Sequence, residues 1–520
     1  MSLLARGLPL AAGLAMLLIG SGMASANDVY IAQSASGAAN GTSCANAFAY
    51  GYFNTSGNWT GGPPTGTVIG PGTTVHICGT ITGAVNSTGL IFQRSGTSGS
   101  PVTLLFEPNA VMTSPAWNFG ISLGGQSYVT VNGGTNGVIQ NTANGTELAN
   151  SLNSTGIGDG SCGSNVTIQN LSVLNIYIRT SNSSDADGGG SGGIALSNCG
   201  SNITISGNTS TQAHANIWLM PMGTPSNWNV YNNTTVGATW GIAIAVGRYT
   251  DQLSSLYVYN NDVSDGLPWE DPADNYHKDG IFIFGQGSGG GGGSVQYAYI
   301  YNNYVHGDWG SHASGYVYIN QNTNYIYLFN NTLSAPSSQA TNGLLYIGYT
   351  GDHYYIVNND ILGDTDGNGF AESGGATNVT FENNILQSFQ AAIYTLNTTY
   401  SALDYNDYWT ISGSGVPHPW QNYVAYGDTF AQWQSQLQDV HGQYGNPSLS
   451  NFLPPSGSLA IAAGANLTSM CNGQSNPGLG ALCYDASGTM RPYTGLWDVG
   501  AYQHITPILA PPSNLRVVTE

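Results

Sequence analysis

The stretch WEDPADNYHKDGIFIFG, Trp269 to Gly285, gathers four acids, a histidine and Lys278, the only lysine in the chain, while 7% of all residues are charged. Its carboxylates, Glu270, Asp271, Asp274 and Asp279, with Asp265 just before them, are hard oxygen ligands of the kind Ca²⁺ takes. Lys278 is a candidate base if desolvation lowers its pKa, although the acids around it favour the protonated form. Arg248 is suited to neutralise a carboxylate, and His277 and His312 to carry a proton. Such a set matches β-elimination of a uronate, which needs a cation on the carboxylate, a base for the C5 proton and an acid for the leaving oxygen. Hydrolysis would instead need two carboxylates flanking a glycosidic bond, with Asp271, Asp279 and Asp308 as candidates. Trp269, Trp309 and Trp240 are the indoles nearest this region and are candidate sugar-binding faces.

A second cluster, DTDGNG, sets Asp364, Asp366 and Asn368 at alternating positions before Gly369, as at the start of a calcium loop. The closing glutamate position falls on Gly375, with Glu372 a possible substitute. Every one of these residues also has a plain structural reading. The acids would then form a solvated loop, Lys278 a surface ion pair, the histidines stacked turn residues and Asp279 a turn former. Arg248 would pair with Asp251, and DTDGNG would be an Asp-Gly turn.

The elements that must position these groups are visible as a repeat. Asn-Asn pairs in NWNVYNNTTV, LYVYNNDVSD, AYIYNNYVHG, IYLFNNTLSA, YYIVNNDILG and NVTFENNILQ begin at 232, 260, 302, 330, 358 and 383, at intervals of 28, 42, 28, 28 and 25. Apolar and polar residues alternate before each pair, which is strand periodicity. A second strand follows in GIAIAVG, DGIFIFG, SGYVYIN and NGLLYIG. A unit this short cannot bury its apolar face alone, but stacked copies can. Stacking places equivalent residues roughly 4.8 Å apart, so asparagines at a fixed position form an amide ladder. The expected fold is an all-β parallel β-helix.

The 42-residue interval marks the one enlarged coil, and its insertions flank DGIFIFG. Loops that project from a regular scaffold are where sites usually lie. Registering the coils on Gly241, Gly280, Gly315 and Gly343 places His277 beside His312, with His214 near the same turn in an earlier coil. On this register Arg248, Lys278, His277, His306 and His312 share one face.

The rung pattern and the DGI strand resemble the right-handed parallel β-helix superfamily of pectate lyases. The resemblance covers roughly residues 100–400. It implies a right-handed solenoid and a choice among lyase, hydrolase, epimerase and binding functions. In lyases of this fold, a basic residue beside a calcium cluster is the expected machinery. The chain ends resemble bacterial members of the group. Cys44, the Gly70-Pro71-Gly72 turn and Cys78 match an N-terminal cap. LDYNDYW, HGQYGNPSL and DASGTMRPYTGLWDVGAYQ match a C-terminal closing module, carried by Asp485, Arg491, Pro492, Asp498 and Gly500. Between these, Phe430, Trp433, Leu437 and Val440 are spaced as one helical face that would close the last coil.

The expected organisation is a signal peptide at 1–26, a cap and first strands at 27–100, the β-helix at 101–400 and the closing module at 401–504. Residues 505–520 form a linker whose APPSNLRVV resembles the first strand of a fibronectin type III domain. The leader has one arginine, an apolar run and Ala24-Ser25-Ala26, so cleavage is expected after Ala26 and the protein is expected to be secreted or at the cell surface. No other segment is long and apolar enough to span a membrane. An even cysteine count in an exported chain favours disulfides; six cysteines permit about 15 pairings, of which the local one, Cys44/Cys78, Cys162/Cys199 and Cys471/Cys483, is taken as the expectation. Metal ligation by these cysteines is the weaker reading, since no CxxC spacing occurs. A net charge of −20 disfavours nucleic acid as a partner. The best functional expectation is an exported, calcium-assisted polysaccharide lyase acting on a uronate-containing glycan. A non-catalytic cell-surface or glycan-binding module and a glycoside hydrolase are the alternatives.

Overall fold

The computed structural model describes residues 28–143, 154–176, 192–266, 277–287, 292–310, 312–336, 341–363, 366–422, 424–472 and 477–504. The leader and the fibronectin-like start therefore lie outside the described residues. Each coil contributes strands to three parallel sheets. Sheet A runs from Val29–Ala32 through Gln252–Tyr259, Ser294–Tyr301, Thr323–Phe329 and Gly351–Val357 to Tyr400–Asp404. Sheet B follows the asparagine corner with Asp262–Ser264, Tyr304–His306, Thr332–Ser334 and Asp360–Leu362. Sheet C carries the glycine-led strands Lys278–Phe284, Ala313–Asn320, Leu345–Ile347 and Asn368–Glu372. Together they form the right-handed parallel β-helix expected from the repeat.

Alternation along sheet A explains the apolar code. Val258, Ile300, Leu328, Ile356 and Phe381 register with one another and are buried in the core. Between them, Tyr257, Tyr299, Tyr327 and Tyr355 stack on the outer face, with ring centroids 4.9, 4.9 and 4.8 Å apart. These are the cross-strand pairs that stabilise a sheet, repeated coil after coil.

The two asparagines of each pair do different work. The first turns the corner in the left-handed region, with φ of 55, 53, 54, 55, 53 and 59° at Asn232, Asn260, Asn302, Asn330, Asn358 and Asn383. Asparagine tolerates that conformation better than most residues. The second points inward. From Asn208 through Asn233, Asn261, Asn303, Asn331, Asn359 and Asn384 to Asn406, each side-chain amide donates to the next residue's Oδ1 at 2.9–3.1 Å. The same amides satisfy buried carbonyls, so the corner leaves few orphaned groups.

The ladder needs a terminal acceptor, and Asp439 provides it. Its carboxylate accepts from the Asn406 N–H (3.2 Å), the Asn406 amide (3.0 Å) and the Tyr408 hydroxyl (2.6 Å). This cap changes the expected helix. The helix spans only Phe430–Ser435, with Thr429 and Gln432 forming a capping box and Trp433 buried. Leu437 and Val440 are exposed, and Leu437 and Asp439 adopt positive φ. The chain leaves the helical path there, and Asp439 meets the last rung.

The C-terminal residues fold back over the outer asparagines. Arg491 is buried and donates to Asn330 Oδ1 (2.8 Å), while the Asn358 amide donates to the carbonyls of Asp498 and Gly500 (both 3.1 Å). Asp485 accepts from the backbone of Ser487 (2.9 Å) and Thr489 (2.7 Å), and Asp498 from that of Ala462 (2.8 Å). Among the described residues, no helix is long and apolar enough to cross a membrane.

The three local cysteine pairs are disulfides, not metal ligands. Cys44–Cys78, Cys162–Cys199 and Cys471–Cys483 have Cα–Cα distances of 5.5, 4.4 and 5.4 Å. Spacing alone treated the six cysteines alike, and the structure separates them. Cys199 ends the strand Gly192–Cys199 and is fully buried in the main core, where Cys162 of the preceding coil also lies. Cys483 ends the short 3₁₀ segment Pro477–Cys483 and is buried with Cys471, Leu479 and Trp497 in the separate cluster under the closing module. Both are therefore core side chains as well as crosslinks. Cys44, by contrast, is exposed at the cap.

Burial leaves a pH signature. It pushes Asp407 up to about 8, and Asp360 and Asp439 up to about 7, from an ordinary 3.8. The native state therefore holds protons that the unfolded chain releases. Stability from these groups is fully present below the unfolded pKa and is lost as pH rises towards about 8. The urea midpoint is expected to drop between pH values of about 5 and 8, and Asp407→Asn to flatten that drop. A midpoint that rises over this window in the parent protein would contradict the assignment.

Candidate functional site

The outward side of sheet C carries a row of aromatic residues. In Lys278–Phe284, Ile281 and Ile283 belong to the core, while Phe282 joins Ala243 and Tyr318 in a separate outer cluster. The register Ala243–Phe282–Tyr318–Tyr346 sets these side chains one above another. Phe282 and Tyr318 stack at 5.1 Å, and Tyr318 and Tyr346 at 5.0 Å. Trp240 lies 5.7 Å from Phe282 and meets Trp218 edge-on at 5.6 Å.

At the head of this strand stands an acid–base pair. His277 Nδ1 and Asp279 Oδ2 are 2.5 Å apart. Asp279 is fully buried, whereas the His277 side chain keeps 37% of its surface exposed. The imidazole is walled by Phe282, Tyr318 and Trp240, with centroids 5.2, 5.5 and 5.9 Å away. The Trp240 indole N–H donates to the His277 carbonyl at 3.2 Å, fixing the strand entry. Burial works to lower the His277 pKa, but the charge and hydrogen bond of Asp279 outweigh it and raise the pKa. Burial raises Asp279 in turn, against the stabilising effect of His277. Burial first, and the Asp279 charge second, hold the Tyr318 hydroxyl well above its ordinary value. The arrangement orients one imidazole nitrogen towards Asp279 and leaves the other for proton transfer, with aromatic walls around it.

The expected residues separate into groups. His277, Asp279 and Trp240 come together. His312 is on the next coil, where its carbonyl accepts from the Lys278 N–H at 3.1 Å. Lys278 is fully buried, not a surface residue. Trp309 is also fully buried and donates to the His306 carbonyl at 2.9 Å, so its rings offer no face to a sugar. His306 pairs with Asp262 at 2.8 Å. Arg248 is parted from His277: the strand Thr234–Ala245 runs from Trp240, the register partner of Asp279, past Ala245 before Arg248 is reached. At strand rise the five steps from Trp240 to Ala245 alone span about 16 Å. Asp251 accepts from the Gly223 N–H at 2.9 Å. Asp308 accepts from Gly310 (2.9 Å), and Asp265 from Asp308 (3.1 Å), both as turn carboxylates.

Trp269, Glu270, Asp271, Asp274 and Asp364 lie outside the described residues. Asp366 is exposed, and the Asn368 amide donates to the Asn342 carbonyl at 2.8 Å. Glu372 is buried, with its oxygens taken by Ala376 N–H (3.3 Å), Thr398 hydroxyl (2.8 Å) and the N–H groups of Gly374 and Gly375. Asp279 commits its Oδ2 to His277. Calcium, implied by the family resemblance, finds no ready donor set here: among the described residues no group of three His, Cys, Asp or Glu side chains is placed to hold a metal.

The sequence register missed Tyr318 for a definable reason. Gly241 stacks with Gly280, and Gly315 with Gly343, but Asp279 pairs with Gly315 and Ile281 with Val317. A bulge opposite the Lys278–Asp279 junction shifts the alignment by one residue. A one-residue slip exchanges the two faces of a strand, so glycine alignment set Phe282 against Val317 instead of Tyr318. The aromatic alternation in IFIFG and YVYIN was the signal that would have shown the ladder.

No family model matches the chain, and neither does any curated protein sequence. Some solved structures resemble it. Pectate lyase Pel9A is 13% identical, with a TM-score of 0.38, over 93% of this chain and 98% of that one. The GH136 lacto-N-biosidase from Eubacterium ramulus is 12% identical, with a TM-score of 0.44, over 81% and 66%. The A-module of the Azotobacter vinelandii mannuronan C-5 epimerase AlgE6 is 16% identical, with a TM-score of 0.33, over 64% and 90%. The three stacked sheets and the inner asparagine ladder make this chain a right-handed parallel β-helix.

Proposed function

We propose that the protein is an exported polysaccharide lyase that acts on a uronate-containing glycan at the outer face of sheet C. The observation that carries this reading is the His277–Asp279 pair set among Trp240, Phe282 and Tyr318. Asp279 holds Nδ1–H, and the remaining ring nitrogen takes the C5 proton. The C5–H electron pair forms the C4–C5 double bond as the C4–O4 bond breaks, and the protonated His277 ring returns its proton to the leaving oxygen, which restores the base. The aromatic walls shield part of the imidazole from water and strengthen the pair's electrostatics. Calcium would neutralise the substrate carboxylate, with Glu270, Asp271 and Asp274 its sequence-level candidate ligands. No step above depends on it. Lys278, His312 and Arg248 are assigned no proton transfer in this reading. Three disulfides suit an oxidising destination, and the leader suits export.

The test is incubation with a panel of uronate polymers, with and without added calcium. Unsaturated products, read by ultraviolet absorbance, are expected. Reducing ends without that absorbance would mean hydrolysis and overturn the lyase reading. Binding without products would support the second reading, a glycan-binding module. The burial of Lys278, Phe282 and Tyr318 favours that alternative, because it narrows the chemical face to one partly exposed imidazole.

A further inference from the structure

A second groove lies on the leading edge of sheet A. It is lined by Gln252, Ser294, Gln296, Asn322, Asn324 and Thr377, with glycine backbone at 292, 351 and 375, and encloses about 590 Å³. That is within the range of ligand clefts, roughly 300–1,000 Å³. Its walls come from successive coils: Gln252 pairs with Ser294, Gln296 with Asn324, Asn324 with Asp352 and Asp352 with Thr377. Five coils at strand spacing give a length of about 19 Å along the solenoid axis. The groove thus repeats the same kind of polar contact at regular steps, as an extended chain of similar units would require.

Its chemistry is narrow. Every lining side chain is an amide or a hydroxyl, and none is charged. The nearest acid in the register, Asp352, is already committed to Thr377 (2.7 Å), Asn378 (2.7 Å) and His353 (2.7 Å). The amides of Gln252 and Asn324 make no hydrogen bond among the described residues, so they are available to a ligand. Exposed tyrosines neighbour these residues in the chain. Tyr297 follows Gln296 and is 41% exposed, Tyr349 precedes the lining residue Thr350, and Tyr249 packs beside Gly287. Tyr297 stacks on Tyr325, and Tyr325 on His353, at 4.9 and 4.6 Å, which holds the Tyr297 ring rigid. Uncharged hydrogen-bonding groups beside rigid rings match sugar hydroxyls and the apolar faces of pyranoses. A net charge of −20 with no cation in the lining works against an anionic chain.

We propose that this groove is a binding site for a neutral, extended oligosaccharide, separate from the His277 face and independent of the activity assigned there. The test is calorimetric titration of the full chain with cellohexaose, xylohexaose and hexagalacturonate. A neutral hexamer is expected to bind, and Asn324→Ala, Gln252→Ala and Tyr297→Ala each to weaken it at least fivefold. His277→Ala is expected to leave that affinity unchanged. These substitutions trim solvent-facing side chains, and an unchanged melting temperature confirms that the fold is intact. Loss of neutral-hexamer binding in His277→Ala would overturn the proposal. So would unchanged affinity in all three groove variants, preference for hexagalacturonate, or no binding of either neutral hexamer at millimolar concentration.

Discussion

Asn331→Ala is expected to destabilise the protein by about 3–5 kcal/mol, because it leaves several buried polar groups without partners at once. The Asn331 amide donates to the Ile300 carbonyl (2.8 Å) and to Asn359 Oδ1 (3.0 Å). Its oxygen accepts from the Asn303 N–H (3.1 Å) and the Asn303 amide (3.0 Å). Alanine removes all four bonds in a space that water does not reach. Asn227 provides the contrast. It bonds to Asn202 at 2.8 Å in an exposed ladder on the outside of the solenoid, with φ at 62°. Asn227→Gly, which keeps the left-handed backbone easy, is expected to change stability by no more than about 0.5 kcal/mol. Equilibrium urea unfolding of both variants measures the difference. Equal effects would mean that the inner ladder is no more than a set of ordinary surface hydrogen bonds.

The second large effect concerns chemistry. His277→Ala is expected to lower the elimination rate by about 10²–10⁴-fold, the usual worth of a positioned proton acceptor. Asp279→Asn is the more informative variant because it keeps the side-chain shape in a fully buried place. Asp279 raises the His277 pKa through its charge and hydrogen bond. A base works when deprotonated, so activity should rise with pH through a value above the ordinary imidazole pKa of about 6.5. Removing the Asp279 charge should move that acid limb to lower pH and reduce the plateau. A limb that stays in place would show that His277 is not the titrating base. Full activity in His277→Ala would remove the pair from the mechanism, and Lys278→Ala would then be the variant to compare. Burial of Lys278 predicts that its main effect is on stability.

Much of the architecture is repeated in every coil, and repetition is what made it readable. The alternation before each asparagine pair specifies a strand, the pair specifies a corner, and the next glycine opens another strand. Each signal is local, and stacking multiplies it. The inner ladder follows from the same positions because equivalent residues of adjacent coils must meet. The three disulfides join cysteines that neighbouring coils or turns bring together; the even count favoured disulfides, and the structure decided among the pairings that the count leaves open. The burial of Cys199 and Cys483 was not, because it depends on what packs over them. The enlarged coil also drew attention to His277 and Asp279, though as a possible proton shuttle and a calcium ligand, not as a hydrogen-bonded pair.

The remaining differences depend on how coils sit against one another. One bulged residue set Tyr318, not Val317, over Phe282, and so built the aromatic wall around His277. Burial of Lys278 and Trp309 is likewise a property of the assembled solenoid, not of their neighbours in the chain. Arg248 was expected near His277 but stands past the far end of the strand. Asp439 ended a predicted helix early because the last asparagine of the ladder needed an acceptor. The repeat in the chain is enough to dictate the coil, its corner and its core, since those interactions recur at fixed spacing. Which side chains share a face is decided only when the coils are packed, because that depends on register between them, where one residue of shift turns a strand over.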